Sequence, residues 1–311
     1  MLSLRIWGDR GSMPTPGPDT VVFGGDTSCL EVRAGERLVI IDAGSGIRRL
    51  GDHLMKTDFK KGPIDTDIFL THTHWDHIMG FPMFTPIYVP GTKIRIHGPL
   101  PLDGDSLERI VGTQLSHQYW PVRQAELSAD ITYEHLREQL IDLGDGTTIR
   151  TKYLNHPILC LGYRIEREGF SIVTLYDHEP YRNVFPTDPE DPSYDDFAAT
   201  EGMLAAKEEN DKIDAFIAGA DVLIHDAQYT AKEYLASKLG WGHSSFEHAI
   251  NAAHRAGVKR LVLFHHDPNR SDLELQELEL FYQGKVGGRT SLRIEMAREG
   301  SVFASTDGAS G

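Results

Sequence analysis

THTHWDHIMGFP, residues 71–82, places His72, His74, Asp76 and His77 within six positions, directly after the apolar run Ile68, Phe69, Leu70. The apolar run reads as the end of a buried strand. A strand sends successive side chains to opposite faces, so four ligand-type residues can converge only in the loop beyond it. Imidazole with carboxylate suits zinc, manganese or iron better than a hard, all-oxygen ion. The competing reading, a run of exposed polar residues, explains one or two histidines and not this density. The stretch is expected to be the heart of a metal site.

Further along the chain, single ligand-type residues stand at the ends of apolar runs. His156 follows residues 150–154, Asp226 follows 222–224, and His265 follows 260–264. Each alone reads as a loop hydrogen-bonder, but together with the core motif they complete two coordination spheres along one sheet edge. His225 and His266, their neighbours, point to the opposite side by strand alternation and rank below them. Gly242-His243-Ser244 precedes a helical pattern formed by Phe246, Ala249, Ile250 and Ala253. Ser244 and Glu247 have capping-box spacing, and Gly257 stops the helix. His243 thus stands before a helix N-terminus, where an oxyanion is favoured and an imidazole can protonate it. The competing reading packs His243 against Trp241. Asp42, ahead of the Gly44 and Gly46 turn, reads as a cap or loop support.

The rest of the chain bounds the protein class. With 31 basic and 46 acidic residues the net charge is −15. No basic run exceeds a pair, so a nucleic-acid polymer is disfavoured as a partner and a small anionic substrate is favoured. No apolar stretch approaches the ~20 residues of a membrane span, and none reads as a secretion signal. Cys29 and Cys160 are too few for a disulfide framework, which fits a cytoplasmic setting. Strands are expected at residues 2–7, 27–32, 38–41, 93–97, 150–154, 160–166, 170–175, 222–224 and 260–264, and a helix at 106–117. Residues 181–212, acidic and carrying Pro186, Pro189 and Pro192, read as an inserted surface loop within one domain spanning 1–311. The residues from 301 read as a strand end and a floppy tail.

The His-x-His-x-Asp-His run with widely spaced His, Asp and His resembles the metallo-β-lactamase fold superfamily. The likeness covers roughly residues 2–300. It implies an α/β fold, an αβ/βα four-layer sandwich of two mixed sheets flanked by helices, with metals at one edge. It assigns His72, His74 and His156 to one divalent ion and Asp76, His77 and His265 to a second, with Asp226 bridging both. Gly242 to Ser244 resembles the phosphodiesterase branch that holds ribonuclease Z and the cyclic-phosphate phosphodiesterases. Residues 10–17 and the Gly24-Gly-Asp-Thr-Ser-Cys stretch resemble a bacterial subgroup of that branch, in which Asp26 is usually Asn. The implied activity is hydrolysis of a small phosphodiester, such as a cyclic nucleotide, by metal-activated hydroxide, with Asp76 and His243 as catalytic residues and zinc, manganese or iron as the ions. A homodimer is carried over from the family alone. The rival classes are hydrolysis of a thioester, lactone or β-lactam, and a catalytically silent metal-binding sensor. Di-iron oxygen or nitric oxide reduction fits less well, because His74 stands where such sites carry Glu.

Overall fold

The computed structural model describes residues 1–101, 104–288 and 290–305. Two seven-stranded mixed sheets pack face to face. The first is built from β1 (Leu2–Gly8), β2 (Cys29–Ala34), β3 (Arg37–Ile41), β4 (Asp65–Phe69), β5 (Lys93–Pro99) and β6 (Asp130–Leu136). The second takes β7 (Leu140–Asp142), β8 (Thr147–Leu154), β9 (Cys160–Arg167), β10 (Phe170–Leu175), β11 (Val222–Asp226), β12 (Arg260–Phe264) and β13 (Arg293–Met296). The chain then returns to the first sheet, where β14 (Val302–Ala304) pairs with β1. Residues 306–311 of the expected tail lie outside the described residues.

Each sheet is half antiparallel and half parallel. In the first, β14, β1, β2 and β3 alternate in direction, and β3 to β6 run parallel. In the second, β7 to β10 alternate and β10 to β13 run parallel. The parallel strands β3, β11 and β12 are near-continuous buried runs, as burial on both faces requires, whereas the edge strand β6 alternates and is largely exposed. Inward residues such as Ile6, Val39, Phe69, Ile165, Ile224 and Phe264 form the core between the sheets. Helices α1 (Gly46–Lys56), α2 (Trp75–Ile78) and α3 (Leu107–Thr113) accompany the first sheet, with Ile47, Leu50 and Val111 in its outer core. Helices α4 (Asp196–Ile217), α6 (Phe246–Arg255) and α7 (Asp272–Val286) cover the second, while α5 (Ala231–Glu233) is a single turn. The expected four-layer α/β sandwich is the observed architecture.

Residues 181–212 differ from the expected loop. From Asp196 onward they are helical, because Asp195 caps the Ala198 N–H and Ala, Glu, Met and Lys carry the helix to Ile217. Pro186, Pro189 and Pro192 fall in the irregular approach to that helix. The cap of α6 is also one residue later than expected. Ser245 accepts from the His248 N–H, and the Ser244 hydroxyl donates to the His178 carbonyl instead.

Candidate metal centre

Parallel strands bring their C-terminal ends to one edge, and the candidate site lies there. The chain leaves β4 at Phe69 and turns through His72 and His74 into α2, which carries Asp76 and His77. The second sheet clamps this loop from behind: Leu161 N–H donates to the Thr71 carbonyl and the Tyr163 hydroxyl donates to that of Leu70. Asp42, just past β3, accepts from the Thr71 N–H and hydroxyl and lies 2.7 Å from His77 Nδ1. Its role is therefore support of the loop and of one imidazole, which leaves His77 Nε2 to face the site.

Three overlapping groups converge: His72, His74, His156 and Asp177; Asp76, His77 and His265; and Asp177, Asp226, His243 and His265. His156 Nε2 lies 3.0 Å from His74 Nδ1, while its own Nδ1 faces the Gly242 carbonyl at 3.1 Å. Gly242 has φ +84°, and a Cβ there would fall 2.3 Å from His156 Nδ1, so only glycine permits this contact. Asp76 Oδ2 accepts from the Ser12 N–H and lies 3.3 Å from His77 Nε2 and 3.2 Å from His265 Nε2.

The carboxylate that reaches histidines of both expected triads is Asp177. Its Oδ2 lies 3.4 Å from His72 Nε2, 3.3 Å from His77 Nε2 and 3.8 Å from His156 Nε2, and its Oδ1 lies 3.2 Å from His265 Nε2. Asp226, expected in that bridging position, instead sets Oδ2 2.8 Å from His243 Nδ1 and accepts from the His178 N–H. The physical reason lies in β10, whose end reaches the cluster two residues past Leu175. The Leu175-Tyr-Asp177 ending is the same strand-end signal used for Asp226, but it lies where the chain was read as entering its insertion. His225 turns Nδ1 to the Asp226 carbonyl and His266 turns Nε2 to the Ala297 carbonyl, so neither belongs to these groups. Asp26 accepts from the Ser45 hydroxyl, a contact an acceptor serves as well as an amide.

The donor set fits divalent ions. His72 Nε2, His77 Nε2, Asp177 Oδ1 and Asp226 Oδ1 are all buried with no hydrogen-bond partner. Several orphaned lone pairs turned toward one another are costly unless a cation lies among them. Burial drives His156 down to about 4, so its imidazole is neutral and can ligate. Burial also lowers His243, but the Asp226 carboxylate outweighs it and holds that imidazole up at about 9. Asp42, Asp177 and His265 all adopt left-handed backbone, with φ of 61°, 46° and 64°. Non-glycine residues rarely adopt it, and at functional sites it aims side chains.

The Metallo-beta-lactamase superfamily model matches residues 22–198. The chain belongs to that superfamily. A second family model, the Beta-lactamase superfamily domain, matches residues 203–266. Among curated relatives, ribonuclease Z of Exiguobacterium sibiricum is 30% identical over 247 residues, 68% of this chain and 74% of the relative. Ribonuclease Z of Thermoplasma acidophilum is 28% identical over 300 residues, 87% and 88% of the two chains. The metallo-beta-lactamase fold protein YhfI of Bacillus subtilis superposes with a TM-score of 0.62 at 19% identity, covering 97% of this chain and 98% of the other. That last likeness is one of fold. Relatives named for cutting RNA overturn the expectation that a nucleic-acid polymer is disfavoured. Net charge describes the whole surface, whereas a cleft lined with cations sets its own local field. Among the described residues, no helix of this superfamily member is long and apolar enough to cross a membrane.

Proposed function

We propose that the protein is a phosphodiesterase that works with two divalent ions, zinc, manganese or iron. His72, His74 and His156 would hold one ion and Asp76, His77 and His265 the other, with the Asp177 carboxylate set against both groups of histidines. Such ions supply Lewis acidity at a phosphoryl oxygen and lower the pKa of water. The chain's own groups do the rest. Asp76, fixed by the Ser12 N–H, accepts the proton of the attacking water. His243 engages Asp226 through Nδ1, which leaves Nε2 free to give its proton to the departing alkoxide as the P–O bond breaks. Asp226 acts through His243, holding the ring's orientation and favouring its protonated form.

The observation that carries this reading is the Asp226–His243 pair beside a His/Asp cluster, a proton donor set against the metal-binding groups. The ribonuclease names of the relatives support phosphorus over a carbonyl carbon. Cyclic nucleotides and RNA both present the scissile group, and the ribonuclease names of the relatives keep the polymer among the substrates to be assayed. The buried free thiols Cys29 and Cys160 fit a reducing, cytoplasmic setting.

Hydrolysis of bis-p-nitrophenyl phosphate by metal-analysed protein tests the reading. We expect turnover with about two ions per chain, and His243→Ala should retain the ions while losing ~10²- to 10⁴-fold in kcat. Unchanged kcat in that variant would remove His243 from the mechanism. Cleavage of thioesters or lactones without cleavage of the diester would move the protein to carbonyl chemistry.

A further inference from the structure

Beside His243 the structure builds a wall that the metal chemistry does not use. A five-residue π-helical turn, Tyr234–Lys238, follows α5, and its last residue carries Lys238 back over two aromatic rings. The ammonium lies 3.7 Å from the ring centre of Trp241 and 5.2 Å from that of Tyr229. Tyr229 in turn stands edge-on to His243, with ring centres 6.3 Å apart, and His243 lies 4.8 Å from His265. Lys238 is half-buried, and no carboxylate lies within ion-pair distance of it among the described residues. In a chain of net charge −15 a cation with no carboxylate at ion-pair distance is unusual, and the Tyr229 ring links this one to His243. Trp241 is 55% exposed, a large apolar surface left to water one residue from a glycine that contacts His156.

The wall is also pinned in place. Glu179, two residues beyond Asp177 and buried, accepts from the N–H groups of Gly240 and Gly242 and from the Tyr234 hydroxyl. The Trp241 N–H closes onto the Lys238 carbonyl. One carboxylate therefore ties the turn carrying Lys238 and the loop carrying Trp241 to the segment that supplies Asp177. An exposed tryptophan held rigidly costs little entropy when a flat ring stacks on it. Every nucleobase offers such a face, and a lysine beside an aromatic platform is the pattern that holds a base together with its phosphate.

We propose that Trp241 and Lys238 form a nucleotide subsite next to the metal centre, Trp241 stacking the base and Lys238 contacting an anionic phosphate oxygen. The proposal rests on the phosphodiesterase reading and narrows its substrate class to diesters that carry a nucleoside. Trp241 and Lys238 are specificity residues here.

Two measurements test the subsite. In the first, kcat/KM is compared for thymidine 5′-(p-nitrophenyl phosphate) and methyl p-nitrophenyl phosphate. Trp241→Ala should lower the preference for the nucleoside diester about tenfold, the order that stacking one base supplies. Trp241→Phe should restore most of that preference. Lys238→Met should raise KM severalfold and flatten its dependence on salt, with kcat little changed. In the second, adenosine 5′-monophosphate is titrated against tryptophan fluorescence, with ribose 5-phosphate as the base-free control. Quenching by the nucleotide alone, lost in Trp241→Phe and kept in Trp75→Phe, is the expected result. Equal substrate preference in wild type and Trp241→Ala, or quenching that disappears only with Trp75, would overturn the subsite. A protein that hydrolyses neither diester would defeat the phosphodiesterase reading, and the titration would still decide for or against the nucleotide subsite.

Discussion

The two sheets reach the same edge with their candidate-site residues packaged differently. The first delivers His72, His74, Asp76 and His77 from the single loop after β4. The second delivers His156, Asp177, Asp226, His243 and His265 one at a time, from the segments after β8, β10 and β12, from the last residue of β11 and from the approach to α6. The first arrangement is local, so it survives as a motif that a reader of the sequence can see. The second is a property of strand direction. Strands β10, β11 and β12 run parallel, and β8 shares their direction because two antiparallel pairings separate it from β10. Only the pairing puts Leu154, Leu175, Asp226 and Phe264 at one edge.

The sharpest way to break this comparison is to exchange the fates of the two aspartates. Asp177→Ala should weaken metal binding by ~100-fold or more and abolish turnover, measured by metal content after dialysis. Asp226→Ala should keep its metal and lose ~10²-fold or more in kcat through His243 alone. Metal loss in the Asp226 variant with retention in the Asp177 variant would restore the bridging role first expected of Asp226.

Shared support between the sheets comes next. Phe264 is fully buried and stacks on Tyr176, ring centres 4.5 Å apart, immediately before His265. Phe264→Ala should cost about 3–5 kcal/mol in urea unfolding, and a loss under ~1 kcal/mol would mean the core between the sheets does not govern their alignment.

The first sheet carries its own acid-sensitive element. Asp67 accepts from Arg95 at 2.7 Å and lies 3.0 Å from His97 Nε2. Burial raises its carboxyl, but the bonds to His97 and Arg95 outweigh that and hold it well below the usual range. A depressed carboxyl stabilises the fold fully above the unfolded-chain value of about 3.9, and the contribution fades as pH falls below it. Asp67→Asn should therefore cost on the order of 1–3 kcal/mol at pH 7, somewhat less at pH 3, and progressively less as pH falls on toward the depressed folded value, read from urea titrations across that range. Equal loss across the range would mean that the charge contributes nothing. The smallest effect belongs to the outer layer of the second sheet. Ser271 caps α7 and shares a capping box with Glu274, and Ser271→Ala should cost ~1 kcal/mol while leaving metal content intact.

These contrasts mark what could be read without coordinates. The sandwich followed only from the family likeness that the His-x-His-x-Asp-His run carries, and His243 was marked by the helix start after it. The loop at residues 71–82, His156 and His265 stood out because each follows an apolar run with a polar end. Asp177 carried the same pattern and was hidden by the acidic, proline-rich segment that follows. The helix at Asp196–Ile217 was hidden too, since three prolines dominate a window whose later residues are good helix formers. The partnership of Asp226 with His243 was not legible at all: a tertiary contact between two loops leaves no periodicity in either.

The left-handed backbone at Asp42, Asp177 and His265 has a consequence for the history of such a protein. Each costs on the order of 1–3 kcal/mol that glycine would relieve. Selection for heat resistance alone would find these positions early, and each gain would come with a side chain erased from the site. At Asp42 the bonds to Thr71 and His77 would be lost with the strain, so durability and usefulness are set against each other chiefly at Asp177 and His265.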